Sequence, residues 1–148
     1  MKEYVVRRFF EGEYGAADLD ADFPGTITRH GEPNGPIVQH MHFEPMNVEF
    51  RVRASHIVRL IDTVLAGQLQ SDIMQAICEW LDAGASGHFH WDADTPEGER
   101  IAESVFWLGT PEINYPLTQD VLSKVRHFLL TGEKRLTQAD TKAREAGA

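Results

Sequence analysis

The sequence is short of cysteine and of long apolar stretches, and each shortage argues against a class of protein. Its single cysteine, Cys78, cannot form a disulfide within the chain, which fits a reducing compartment. Its apolar runs are shorter than the roughly 18 residues that a membrane-spanning helix requires. The first ten residues also lack the apolar centre of a signal peptide. We therefore expect a cytoplasmic protein that makes no contact with a membrane.

Basic residues are scarce relative to acidic ones, with 14 Lys and Arg against 23 Asp and Glu and a net charge of −9. Because proteins bind phosphate mainly through Lys and Arg, direct nucleic-acid binding is not expected. Residues 11–22 contain five acidic and no basic residues, and residues 82–103 contain six acidic residues and one Arg. These stretches indicate either a solvated face that keeps the protein soluble or a surface for a basic protein partner.

Common catalytic motifs are missing as well. The sequence has no Gly-x-Ser-x-Gly nucleophile elbow, no phosphate-binding loop and no dinucleotide fingerprint. Cys78 lies on the apolar stripe of a predicted helix, where a cysteine is ordinarily a small core residue. The sequence therefore favours a protein that is not an enzyme, although it does not decide the question.

The most distinctive pattern present is a pair of His-x-His motifs, which are His40-Met41-His42 and His88-Phe89-His90. In a strand, residues i and i+2 point to the same face, so each motif places two imidazoles side by side. If the two strands were neighbours, the four rings could bind one divalent transition metal. The simpler interpretation is that the histidines are outward polar positions of half-buried strands. The four candidate metal ligands are His40, His42, His88 and His90.

The first third of the chain is rich in β-branched and aromatic residues. Residues 4–10 predict a strand, residues 16–22 an acidic loop, and residues 26–29 a further short strand. Apolar and polar residues alternate in 37–43 and again in 48–52, which predicts two strands joined as an antiparallel hairpin.

This alternation also predicts which side chains face the core. Met41 and Phe43 are expected to point inward, with His40 and His42 on the opposite face. The first histidine pair is thus expected to face away from the core.

The remainder of the chain has apolar residues at helical spacing. It predicts four helices, whose N-caps are Ser55, Ser71, Thr95 and Thr118. The expected fold is therefore α+β, with a small antiparallel sheet from the N-terminal third packed by about four helices. We expect one domain over residues 1–132 and a polar, mobile tail over residues 133–148.

Small size, acidity and a single cysteine make this chain similar in character to immunity proteins, antitoxins and phage-encoded inhibitors of host defence. No particular motif carries that resemblance. It implies a non-catalytic binding protein that masks a basic site on a protein partner, with acidic residues around an aromatic anchor. The expected contact residues are Asp18, Asp20, Asp22, Trp91, Asp92, Asp94 and Glu97.

Two alternatives stay open at this point. The first is a metal-binding protein, or a metal-dependent hydrolase, that uses the four histidines. The second is a subunit of a homo-oligomer or of a larger complex, with a purely structural role.

Overall fold

The computed structural model describes residues 1–31 and 33–141. Within these residues the chain forms seven helices and four short strands. The helices are α1 (Glu3–Phe10), α2 (Ala16–Asp22), α3 (Ala54–Leu65), α4 (Ser71–Ala83), α5 (Pro96–Gly109), α6 (Gln119–Thr131) and α7 (Gln138–Thr141). The strands are β1 (Ile27–His30), β2 (Val38–Met41), β3 (Phe50–Arg51) and β4 (Phe89–His90).

The strands form two separate pairs. β1 and β2 are antiparallel, with Ile27 opposite Met41 and His30 opposite Val38. β3 and β4 are parallel and much shorter. The predicted α+β class is confirmed, with a small antiparallel sheet in the N-terminal part and helices over the rest.

The predicted hairpin between residues 37–43 and 48–52 is wrong. β2 instead pairs with the preceding strand β1, and β3 pairs with the distant strand β4. The chain does not turn back after β2 because Glu44 bonds to the N-terminus. Its N–H donates to Met1 O at 2.9 Å, and its carbonyl accepts from Glu3 N at the same distance.

The predicted strand over residues 4–10 is also wrong, because this segment is helix α1. Val5, Val6, Phe9 and Phe10 are buried, and their spacing is that of one helical stripe. The β-branched residues favoured a strand. The free energy of that intrinsic preference is small compared with the free energy gained by burying four large side chains.

The predicted acidic loop over residues 16–22 forms helix α2. Its first turn is closed by Asp18, whose carboxylate accepts a hydrogen bond from Gly15 N at 2.8 Å. Leu19 is fully buried and attaches the helix to the core. Leu19 is the one large apolar residue of the seven, so the helical pattern is weak, which explains why the sequence reading missed it.

The four later helices are confirmed as α3 to α6. Two predicted caps are also confirmed: Thr95 Oγ1 accepts from Gly98 N at 3.0 Å, and Thr118 Oγ1 accepts from Val121 N at 3.2 Å. The other two caps are displaced, because α3 is preceded by Arg53 and α4 already includes Ser71.

Helices α4 and α5 pack at close range, which fixes the position of the loop that follows α5. At Gly109 an added Cβ would lie 2.7 Å from the backbone nitrogen of Glu79, so the crossing requires glycine. Asn114 holds the next turn, donating from Nδ2 to Thr110 O at 3.0 Å. Residues 111–114 therefore sit beside the C-terminal half of α4.

The first part of the predicted tail lies on the body of the protein. Leu136 is buried, and Asp140 accepts from Lys124 Nζ at 2.7 Å. The boundary at residue 132 stays a prediction, and residues 142–148 of the predicted tail lie outside the described residues. None of the helices in the described ranges has the length and apolar character needed to cross a membrane.

Candidate functional site

The first histidine pair lies on the exposed face of the antiparallel ribbon formed by β1 and β2. His40 and His42 are both exposed, as predicted, while Phe43 is buried. The ring centroids of His40 and His42 are 6.3 Å apart. A third histidine, His30, joins this face from β1, with its ring centroid 5.6 Å from that of His40.

Only one of these three rings has a hydrogen bond to a neighbouring side chain among the described residues. His42 Nε2 lies 2.9 Å from Thr28 Oγ1, which stands on the same face of the ribbon. This bond holds the His42 ring toward β1.

The second pair has different surroundings. His88 Nδ1 lies 3.5 Å from Glu3 Oε1, and His88 is only 27% exposed. His90 is more exposed and approaches Glu49, with 3.8 Å between His90 Nε2 and Glu49 Oε2. One histidine of the pair therefore meets the interior and the other faces solvent.

Glu3 is a fully buried carboxylate at the start of α1, and the sequence reading did not single it out. It accepts hydrogen bonds from Met46 N at 3.0 Å and from Trp80 Nε1 at 2.7 Å. Together with His88, these groups connect α1, the 44–47 turn, α4 and the start of β4. A buried carboxylate requires such partners, because removing its charge from water without them is costly.

The four histidines proposed as metal ligands do not meet. The two pairs belong to separate sheets. Across residues 1–31 and 33–141, no group of three or more His, Cys, Asp and Glu side chains is arranged to hold a metal ion. Metal binding by His40, His42, His88 and His90 stays a prediction.

The first acidic stretch is partly committed to the protein's own backbone. Asp18 closes the first turn of α2, and Asp22 Oδ2 accepts from Lys2 N at 2.7 Å. Asp20 is exposed, with its carboxylate on the solvent side of the helix. Of these three predicted contact residues, Asp20 is therefore the most available to a partner.

Two predicted contact residues of the second acidic stretch, Asp92 and Glu97, have partners within the protein as well. Asp92 Oδ1 accepts from Asp94 N at 3.1 Å, and Glu97 forms an ion pair with Arg53 at 3.0 Å. Trp91 is half-buried and packs against the core. Asp94 keeps an exposed carboxylate at the tip of this turn.

Three other carboxylates have no basic partner among the described residues. We call Glu79, Asp82 and Glu112 the acidic cluster. Partial burial raises the pKa of Glu79, and the charges of Glu112 and Asp82 raise it further. Burial also raises the pKa of Asp82. No ion pair in the described part of the chain involves these three side chains, so no basic side chain among the described residues offsets the charges that act on Glu79.

Two exposed apolar side chains lie on α5 and on the turn that contains Glu112. Phe106 on α5 is 38% exposed, and Ile113, next to Glu112 in the following turn, is 70% exposed. The turn is fixed to the end of α5 by Asn114, so the position of Ile113 is defined by the fold. Sequence reasoning missed this surface because Glu112 lies outside both acidic stretches.

The sole cysteine is a core residue. Cys78 is fully buried, and burial raises the pKa of its thiol. A thiol in this state is a poor nucleophile, because the thiolate is the reactive form.

Comparisons with protein families, with curated proteins and with solved structures found no significant match. Functional conclusions for this chain therefore rest on its own geometry.

Proposed function

We propose that this protein is a non-catalytic binding protein that masks a basic site on a protein partner. The observation that carries the proposal is the acidic cluster, in which burial and the charges of Glu112 and Asp82 raise the pKa of Glu79, together with the exposed side chains of Phe106 on α5 and Ile113 in the turn that follows. Immunity proteins, antitoxins and anti-defence inhibitors are the kinds of protein in which we expect such a role.

The electrostatic argument depends on which carboxylates are already neutralised. Several exposed acids have a basic neighbour inside the chain, such as Asp62 with Arg126 and Asp120 with Lys124. Glu79 instead has a raised pKa caused in part by other acids. A Lys or Arg from a partner would relieve that repulsion, so the cluster gains more from a cation than a paired carboxylate does.

The apolar side chains add the second requirement of a binding surface. Interfaces commonly have an aromatic or aliphatic centre within a charged rim, and the charges mainly set the association rate and the choice of partner. Phe106 and Ile113 supply such a centre next to Glu112. Partner contact through Asp20 and Asp94, which keep exposed carboxylates, stays a prediction.

The test is zero-length carbodiimide crosslinking of the full chain in lysate of its native cells, followed by mass spectrometry. This reagent joins a carboxylate directly to a lysine amine, so it identifies both the partner and the carboxylate that contacts it. We expect a basic partner joined through Asp82 or Glu112. The Asp82→Asn, Glu112→Gln double variant should lower its association rate about tenfold at low salt.

The matched control is the Asp72→Asn, Glu49→Gln double variant, which removes the same two charges elsewhere. Asp72 and Asp82 lie on the same helix, about 15 Å apart along its axis. If the control slows association as much as the cluster variant does, general charge is responsible and the assigned surface is wrong. If the full chain crosslinks to no basic protein, the proposed function itself is wrong.

A further inference from the structure

The exposed face of the β1–β2 ribbon brings together three of the seven histidines. In the antiparallel register Thr28 stands opposite His40, and His30 is the next residue of β1 on that face. The ring of His30 therefore approaches that of His40 diagonally across the two strands. This arrangement is independent of the His-x-His spacing, because one histidine comes from each strand.

The distances between ring centroids favour His30 with His40 over His40 with His42 as the two ligands of one ion. Two imidazoles bound to one tetrahedral zinc ion have their ring centroids about 5 Å apart, given a metal–nitrogen distance of about 2 Å. His30 and His40 are 5.6 Å apart, and His40 and His42 are 6.3 Å apart. Small rotations of exposed side chains would bring the first pair to chelating distance.

The hydrogen bonds point to the same pair. His42 Nε2 is engaged with Thr28 Oγ1, so binding through that nitrogen would break an existing bond. No hydrogen bond competes for the ring nitrogens of His30 and His40 among the described residues.

We propose that His30 and His40 form a two-histidine chelate for a late divalent transition metal such as Zn²⁺, Ni²⁺ or Cu²⁺. Neutral imidazole is a suitable ligand for all three ions, and water completes the coordination shell. The ion joins β1 to β2 near the end of the ribbon where His30 pairs with Val38. This inference is independent of the proposed function, because the ribbon contains none of the residues of the acidic cluster.

The test is calorimetric titration of the full chain with ZnCl₂, NiCl₂ or CuCl₂, each alone, on the wild type and single variants. We expect one ion per chain. The His40→Ala and His30→Ala variants should each weaken binding about tenfold or more, since a two-ligand chelate then loses one ligand. The His42→Ala variant should change the affinity by less than about threefold, because its ring is not a ligand.

The matched control is His90→Ala, which removes an exposed histidine of the other His-x-His motif. It should leave the affinity unchanged. All four histidines are exposed, so these variants are expected to fold, and circular dichroism checks that they do.

A structural readout separates a defined site from general histidine binding. Zn²⁺ should slow amide hydrogen exchange in β1 and β2 of the wild type, and His30→Ala should abolish this protection. The proposal is overturned if the wild type does not bind the ion, or if the His30→Ala variant binds it with the affinity of the wild type. It is also overturned if His42→Ala removes binding as fully as His30→Ala does, which would assign the ion to the His40–His42 pair.

Discussion

The two His-x-His motifs have the same sequence pattern and opposite surroundings. His40 and His42 lie on the open face of a two-stranded ribbon, where solvent is their main neighbour. His88 instead points toward the buried carboxylate of Glu3, while His90 faces solvent. Because side chains alternate along a strand, residues i and i+2 lie on the same face. Which groups they contact depends on the element that packs against that face.

The difference originates in the partners of the two strands. β2 pairs only with β1 within the described residues, and the ribbon's histidine face is left uncovered. β4 lies beside β3 and next to α1, where Phe10 packs against Phe50 and Phe89. The same packing brings Glu3 close to His88.

The largest effect on stability is expected when the buried carboxylate of Glu3 is removed. The Glu3→Ala variant should lower the free energy of unfolding by about 3 kcal/mol, because Trp80 Nε1 and Met46 N then lose their acceptor in the interior. Glu49→Ala, which removes the carboxylate facing His90, should cost less than about 0.5 kcal/mol. Urea denaturation measures both.

A double-mutant cycle shows whether the Glu3 effect comes from the contact itself. Trp80→Phe removes the indole N–H and keeps an aromatic ring stacked near Phe43. Combined with Glu3→Gln, it should give a coupling free energy of about 1 kcal/mol. Similar losses in Glu3→Ala and Glu49→Ala would show that the interior and solvent-facing carboxylates do not differ as the structure indicates.

A second test asks which histidine makes stability depend on pH. His56 is half-buried against Phe10 and Phe50, and burial, aided by the charge of Arg53, lowers its pKa in the folded state. The unfolded chain, with an ordinary histidine pKa of about 6.5, therefore binds the proton more readily. The stability contributed by neutral His56 is present above that pH and is lost as pH falls through the lower, folded value.

The His56→Gln variant should reduce this acid sensitivity. His56 Nδ1 accepts a hydrogen bond from Arg53 N at 2.8 Å, and a glutamine at this third helical position supplies an acceptor without titrating. Urea midpoints measured between about pH 5 and pH 8 would check it. An unchanged slope in His56→Gln would show that His56 is not the source of the acid sensitivity.

The parts of the fold that the sequence predicts are those set by short-range chemistry. Thr95 and Thr118 cap helices as expected because a cap bonds to a backbone nitrogen three residues away. The outward direction of His40 and His42 follows from alternation alone. In contrast, the strand predicted over residues 4–10 failed because β-branched residues in this segment are also spaced as a helical stripe.

The candidate sites depend on contacts that no local pattern encodes. Glu3 receives its hydrogen bonds from residues 43 and 77 positions away. The pairing of β2 with β1 brings His30 close to His40, whereas the sequence analysis predicted that residues 37–43 pair with residues 48–52. The acidic cluster joins Glu112 to α4 through the packing of Gly109 on Glu79. A single sequence read along its length cannot supply these pairings.

The smallest effects on stability are expected when His40 and His42, the first histidine pair, are replaced. His40→Ala and His42→Ala should each change the free energy of unfolding by less than about 0.5 kcal/mol, since both rings are exposed and only His42 bonds to a neighbour. His88→Ala should cost about 1 to 2 kcal/mol, because it removes the imidazole beside the buried Glu3 carboxylate. Urea denaturation in metal-free buffer keeps the proposed chelate from contributing. If His42→Ala and His88→Ala lowered the free energy of unfolding equally, the neighbouring element would not determine how much a histidine of these motifs contributes to stability.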